Sequence, residues 1–278
     1  MSTRNDYPAG VPCWVDTNQP DPAAAARFYA DLFGWETTDE MPPDSGGHYF
    51  MARIGGRDTA AISSIPQGAP SQARWNTYVR VTSADEAAER VRSAGGSVLS
   101  EPFDVFDAGR MAVFADPEGA VFSVWQPGLH RGSAAVNEHG AVNFNDLHTD
   151  DVETAKTFYH AVFGWNALDF GTGSPAWTLP GYGDHLEELT PGLRAGMREM
   201  GAPEGFEDVV ARVMPRGGGP ASWGVAFGVD DAEAIAARAT ELGGSVLIPP
   251  TDAPWVKYAV IADPAGATFT VNQFVAPS

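Results

Sequence analysis

The sequence predicts an α+β fold of four βαβββ modules, arranged as two tandem copies whose strands build curved mixed or antiparallel sheets. Three observations predict it. The block PCWVDTNQPDPAAAARFYADLFGWE at 12–36 recurs as VNFNDLHTDDVETAKTFYHAVFGWN at 142–166. Later landmarks recur in the same order. Each copy also splits into two units that run strand, capped helix, further strands. Such self-similarity decides the architecture before any single element is assigned.

Within the blocks, Asp16/Asp146, Asp21/Asp151, Phe28-Tyr29/Phe158-Tyr159 and Phe33-Gly34-Trp35/Phe163-Gly164-Trp165 lie 130 residues apart. Trp75/Trp223 and Gly95-Gly96-Ser97-Val98/Gly243-Gly244-Ser245-Val246 are 148 apart, and Asp116-Pro117/Asp263-Pro264 are 147 apart. The second copy has therefore gained about 18 residues within 167–222. The copies span 8–128 and 141–275, with a linker over 129–140. Most of the inserted length falls in 172–203, where many Gly and Pro suggest an irregular lid over the second copy's cavity.

Val11–Thr17 alternates as a strand and runs into Asp21-Pro22, a helix cap followed by proline at the first helical position. Ala25, Phe28, Tyr29, Leu32 and Phe33 then share one helical face, and Gly34 ends the helix. Strands are expected at 48–54 and 58–65. The second unit repeats the order with a strand at 75–82, Ser83-x-x-Glu86 as a capping box, and a helix ending at Gly95-Gly96. Strands 97–100, 110–115 and 120–126 close the copy, the last two joined by the Asp116-Pro117-Glu118-Gly119 turn. Trp35 and Trp165 end the first helices and read as core.

Lys and Arg number 17 against 36 Asp and Glu, a net charge of −19 that opposes polyanions and anionic membranes. Nucleic-acid and membrane partners are therefore not expected. The N-terminus shows no apolar signal core, and no apolar run is long enough to span a bilayer. The single cysteine, Cys13, cannot form an internal disulfide and reads as a buried apolar residue. Together these features predict a cytoplasmic protein.

Side-chain alternation puts Trp14, Asp16 and Asn18 on one strand face, and Phe144, Asp146 and His148 on its counterpart. Asp16 and Asp146 are the candidate catalytic acids or bases, because a carboxylate in a half-apolar cavity is tuned for proton transfer. The competing reading is a structural carboxylate held by an arginine or by backbone amides. Trp14, Tyr78 and Trp125 read either as an aromatic box for a planar ligand or as packing. His148 could join Asp146, His185 and Glu187 or Glu188 at a metal, or stand at a pocket rim. Arg110 and Lys257 could bind an anionic substrate group, but solvated pairing with nearby Asp107 or Asp252 is the expectation.

The strand–Asp–helix–FYxxLFGW pattern, the later GG turn and the closing R/K-x-x-V-F/I-A-D-P-x-G-A-x-F resemble the vicinal oxygen chelate superfamily, over nearly the whole chain and twice. That family includes glyoxalase I, bleomycin-resistance proteins, extradiol dioxygenases and methylmalonyl-CoA epimerase. More narrowly, the chain resembles tandem-domain actinobacterial members labelled hydroxylases or glyoxalase-like antigens. The resemblance implies tandem glyoxalase-like domains enclosing small-molecule sites. It also implies metal ligands at positions that here hold Trp14 and Phe144 on the first strands, Ser123 and Thr270 on the last, and about Asn76 and Gly224 on the third. The familiar ligand set is absent from both copies, so no metal and no cofactor is expected. With those positions facing the cavities, Trp14, Asn18, Asn76, Tyr78, Ser123 and Trp125 become substrate-binding candidates in the first copy. Phe144, His148, Thr270 and Asn272 take that part in the second. The expected partner is an apolar or aromatic small molecule, acted on by metal-independent proton transfer such as isomerisation, cyclisation or dehydration. A non-catalytic antibiotic-binding protein is the alternative, and a metal-dependent glyoxalase or dioxygenase the third. Either a monomer by intrachain domain pairing or a homodimer would complete the sites.

Overall fold

A computed structural model describes residues 7–69, 71–171 and 175–275. The first module comprises β1 (Pro12–Gln19), α1 (Pro22–Phe33), β2 (Glu36–Asp39), β3 (Tyr49–Ile54) and β4 (Arg57–Ser64). The second comprises β5 (Arg74–Arg80), α2 (Ala84–Ser93), β6 (Ser97–Val105), β7 (Gly109–Ala115) and β8 (Val121–Pro127). The third holds β9 (Val142–His148), α3 (Val152–Phe163), β10 (Asn166–Leu168), β11 (Ala176–Thr178), α4 (Tyr182–Leu189), α5 (Leu193–Glu199) and β12 (Val209–Met214). The fourth holds β13 (Ser222–Gly228), α6 (Ala232–Glu241), β14 (Ser245–Ala253), β15 (Val256–Ala262) and β16 (Thr268–Phe274). The strands form two eight-stranded mixed sheets of the same order, β2-β3-β4-β1-β5-β8-β7-β6 and β10-β11-β12-β9-β13-β16-β15-β14. The predicted α+β architecture of tandem βαβββ modules is the observed one.

Local chemistry sets the helices. Asp21 accepts from the Ala24 amide at 2.9 Å and Asp151 from the Thr154 amide at 3.0 Å, each satisfying a first-turn donor. Gly34 and Gly164 leave α1 and α3 in the left-handed conformation. The Gly-Gly pairs after α2 and α6 serve two needs. Gly95 and Gly243 have positive φ, whereas a Cβ on Gly96 would fall 2.7 Å from Phe158 and one on Gly244 2.8 Å from the Ala262 carbonyl.

Three expectations need correction. The four-residue strand β2 lies between 36 and 39, where mostly exposed polar residues leave no apolar alternation to read. The strand expected at 97–100 continues to Val105, with Pro102 inside it; β6 is a sheet edge, where proline costs no ladder bond. The inserted stretch 172–203 carries β11, α4 and α5 rather than irregular chain. Residues 172–174 lie outside the described residues. The linker is also firmly packed. Ser133 and Ala135 are fully buried, Ser133 Oγ donates to the Thr59 carbonyl at 2.9 Å, and Arg57 pairs with Glu138 at 2.6 Å. Among the described residues no helix is long and apolar enough to cross a membrane.

The chain packs as two compact units that mix the copies. One joins the first and fourth modules (Trp14–Asn76, Ser133–Asn143 and the chain from Gly224 onward). Its core sets Phe28, Tyr29, Leu32 and Phe33 of α1 against Trp35, Ile62 and Trp75, and against Phe227, Ile235 and Phe269 of the fourth module. Each fully buried large apolar side chain contributes about 1.5–3 kcal/mol. At the centre Trp75 Nε1 donates to the Tyr29 hydroxyl at 3.1 Å, which donates to Asp263 Oδ2 at 2.9 Å. Gln19 Nε2 reaches the same oxygen at 2.6 Å, and Oδ1 accepts the Ala265 and Ala267 amides. Trp35 Nε1 donates to the Gly140 carbonyl at 2.8 Å, so this tryptophan is core as expected.

The other unit joins the second and third modules (the chain up to Cys13, Thr77–Gly132 and Phe144–Trp223) and repeats the device. Trp223 Nε1 donates to Tyr159 at 2.9 Å, and Tyr159 to Asp116 Oδ2 at 2.9 Å. Asp116 Oδ1 caps its own turn through the Glu118 and Ala120 amides. Burial, then the neighbouring aspartate charge, push both tyrosine hydroxyls well above the ordinary range. Trp165 is buried here and bonds the Gly10 carbonyl at 2.7 Å. Cys13 is buried too, and burial pushes its thiol up to about 12.

Tyr159→Phe leaves the Trp223 N–H and a buried Asp116 oxygen without their partner and should lose about 3 kcal/mol in urea unfolding, whereas Tyr29→Phe leaves Gln19 on Asp263 Oδ2 and should lose about 1–2 kcal/mol. A loss under about 0.5 kcal/mol would show that the relay is ornamental. Cys13 should resist thiol reagents at about pH 8 in the native chain and react stoichiometrically once unfolded. Its raised folded value means the associated stability is intact below pH 9 and lost as pH climbs toward about 12. Cys13→Ala should flatten that alkaline slope.

Candidate functional site

In the first unit, β1 and β4 run parallel with Asp16 opposite Ala61 and Asn18 opposite Ser63. Asp16 is 3% exposed. Asn76 Nδ2, at the start of β5, donates to Asp16 Oδ1 at 2.8 Å and to Asn18 Oδ1 at 2.8 Å. Asn18 Nδ2 continues to Ser63 Oγ at 2.8 Å. Trp14 Nε1 donates to the Tyr49 hydroxyl at 3.0 Å. That hydroxyl bonds Asp16 in turn, and burial first, then the Asp16 charge, raise it well above the ordinary tyrosine range. Trp14, Asp16, Asn18 and Asn76 thus meet in one polar cluster, joined by Tyr49 and Ser63.

The counterpart in the other unit is built differently. β9 and β12 pair in the same parallel way, but the residue opposite Asp146 is Arg212. Arg212 grips the carboxylate bidentately, Nε to Oδ1 at 2.7 Å and Nη2 to Oδ2 at 2.8 Å, with Asp146 only 2% exposed. Its guanidinium lies 4.8 Å from the centroid of the Phe144 ring. Burial works against the Arg212 charge, and Asp146 outweighs it, leaving the guanidinium more basic than usual. His148 pairs in register with Met214. Tyr78 pairs with Ser123 across β5 and β8, and Trp125 Nε1 donates to the His130 carbonyl at 2.9 Å. Thr270 and Asn272 belong to the first unit, where Asn272 Nδ2 bonds Asn143 Oδ1 at 3.1 Å.

The residues at the family's metal positions do not fit a metal. Trp14 spends its indole N–H on Tyr49, Phe144 and Gly224 have no side-chain donor atom, and Ser123, Thr270 and Asn76 offer only neutral oxygens or an amide. Among the described residues no group of three or more His, Cys, Asp or Glu is placed to hold one. Glu187 caps α5 by accepting the Gly192 and Arg194 amides, and the His185 ring stacks on Tyr182. The expected pairing of Arg110 with Asp107 is replaced by Asp85 and Asp104, both at 2.9 Å. Lys257 lies 3.9 Å from Asp252, as expected, but pairs more closely with Glu233 at 2.7 Å.

Sequence reading missed Arg212, Ala61 and Tyr49. Matching VVARVM (209–214) to DTAAIS (58–63) would have exposed the first two, but the insertion before β12 breaks the spacing.

Residues 14–125 match the model of the glyoxalase-like domain, and residues 141–271 that of the glyoxalase/bleomycin resistance protein/dioxygenase superfamily. The chain belongs to this vicinal oxygen chelate superfamily, as a tandem-domain member. CFP32 of Mycobacterium tuberculosis, provisionally named a glyoxylase, is 39% identical over 98% of this chain and 97% of its own length. DnrV of Streptomyces peucetius, named an anthracycline biosynthesis protein, is 36% identical over 96% of this chain and 94% of its own. Among solved structures, the Mn(II)-bound glyoxalase of Novosphingobium aromaticivorans shares the fold at a TM-score of 0.61 and 17% identity, covering 98% of this chain and 83% of that one.

Removing Arg212 strands a buried carboxylate. Arg212→Ala should cost about 3 kcal/mol, while Asp146→Asn/Arg212→Met should recover most of it. Chemical denaturation of the set checks this. Equal stability of Arg212→Ala and wild type would contradict the ionic clamp.

Proposed function

We propose that the chain is a metal-independent enzyme of natural-product metabolism that moves a proton on an aromatic small molecule, with Asp16 as acid and base. One observation carries the reading. The same cross-strand position holds Ala61 beside Asp16 and Arg212 beside Asp146. A carboxylate bridged by a guanidinium is a poor proton acceptor, whereas Asp16 takes hydrogen bonds from the neutral donors Asn76 and Tyr49. A ligand seated over Asp16 would strip water from it and make it more basic.

The chemistry follows from a single carboxylate. Asp16 takes a proton from a carbon activated by a neighbouring carbonyl, and the resulting Asp16 acid returns a proton at a second position. Isomerisation on this scheme balances without an oxidant or a second substrate. Asn76 and Tyr49 hold the carboxylate oriented, and the buried Trp14 indole fixes Tyr49 in turn. Asp146, clamped by an arginine that lies over the Phe144 ring, suits a binding role in the second copy. The name of DnrV supports a polycyclic aromatic substrate.

Anthracyclinone ketones are therefore the first probes, followed by mass spectrometry of products. The wild-type chain should convert one of them at a rate indifferent to EDTA. Asp16→Asn should lower that rate about 10²-fold or more, the usual share of a general acid–base group. Ala61→Arg should mimic Arg212 and silence Asp16 with the fold intact. Unchanged turnover in both variants would refute the assignment. Tight binding with no product on long incubation would favour a sequestering protein instead, and activity restored only by a divalent metal would refute metal independence.

A further inference from the structure

Away from the Asp16 cluster, the ends of β5 and β8 and the residues after them line an open cavity of about 400 Å³. Arg80, Thr82, Gln126 and Arg131 supply its polar lining, and Pro127 its apolar side. In a chain with 17 cationic and 36 acidic residues, cations are scarce and most are consumed by carboxylates, as at Arg53, Arg110, Arg194 and Arg216. Among the described residues, neither Arg80 nor Arg131 enters an ion pair. Two guanidinium groups left without carboxylates around one concavity would repel each other, a cost that a bound anion removes.

The frame is rigid. Arg80 donates its amide to the Val11 carbonyl at 2.9 Å and accepts the Gly10 amide at 2.8 Å. Gln126 Oε1 accepts the first-turn Ala84 amide of α2 at 3.0 Å, which fixes the carboxamide, and the Gly128 amide bonds the Ala108 carbonyl at 2.8 Å. These contacts hold the cavity open before any ligand arrives.

We propose that this cavity binds a small organic acid, its carboxylate set between Arg80 and Arg131 and its hydrocarbon body against Pro127. The volume lies within the range of small-molecule pockets and exceeds what a bare inorganic anion fills. Guanidinium forks suit a carboxylate because they match it with paired N–H donors. The assignment is independent of the Asp16 reading, which concerns a different set of residues in the other compact unit.

Isothermal titration of the full chain with 2-naphthoate, 2-naphthamide and inorganic phosphate tests it. Naphthoate should bind, with the neutral amide and phosphate each at least tenfold weaker. Arg80→Gln and Arg131→Gln should each weaken naphthoate about tenfold. Arg92→Gln, outside the cavity, and Asp16→Asn should leave it unchanged. Arg131 is exposed, so its variant keeps the test valid even if Arg80→Gln fails to fold. No naphthoate binding, equal binding of the amide or of phosphate, or indifference to Arg131→Gln would each overturn the proposal. Loss of binding in Asp16→Asn would overturn its independence from the Asp16 site.

Discussion

The fold turns on a buried relay used twice: a tryptophan N–H to a tyrosine hydroxyl, and that hydroxyl to an aspartate in a turn. In one unit it runs Trp75, Tyr29, Asp263, and in the other Trp223, Tyr159, Asp116. The tyrosine comes from the first helix of one copy and the aspartate from the last turn of the other copy. Each aspartate spends its second oxygen on its own turn amides, so the turn cannot relax without releasing the helix. In a dry core an unsatisfied member of such a chain is expensive, and the relay thereby fixes which modules share a core. The FY and DP motifs mark the residues that carry this constraint.

Duplication supplied two equivalent strand carboxylates, and one residue on the neighbouring strand sets them apart. Ala61 stands opposite Asp16, which accepts from Asn76 and meets the Tyr49 hydroxyl, while Arg212 holds Asp146 in an ion pair. The metal positions have changed in both copies, to an indole already committed to Tyr49 in the first and a phenyl ring under a guanidinium in the second.

Much of this was legible in the sequence because the signals are local and repeated. The Asp-Pro cap, the apolar face of α1, the Gly-Gly turn and the strand alternation around Asp16 act within a few residues and are written twice. What stayed hidden depends on strand register. That Arg212 meets Asp146, or that Tyr49 meets Trp14, follows from how β3, β4, β9 and β12 pair, and periodicity alone does not encode it. The helices α4 and α5 were obscured for another reason. Both start at a glycine, which has no side chain to cap with, and prolines flank them, so composition there resembles a loop. Intrachain pairing of the copies was one expectation, but which module of one copy shares a core with which module of the other is not written in local periodicity.

The most direct test of Asp16 as a proton-transfer group needs no knowledge of the natural substrate. An aromatic ketone such as α-tetralone, incubated with the protein in heavy water and followed by proton NMR, reports abstraction of the proton beside its carbonyl. The wild-type chain should exchange that position faster than buffer, in the presence of EDTA and equally in Asp146→Asn, while Asp16→Asn should fall to the buffer rate. Exchange that persists in Asp16→Asn, or that requires an added metal, would contradict the account.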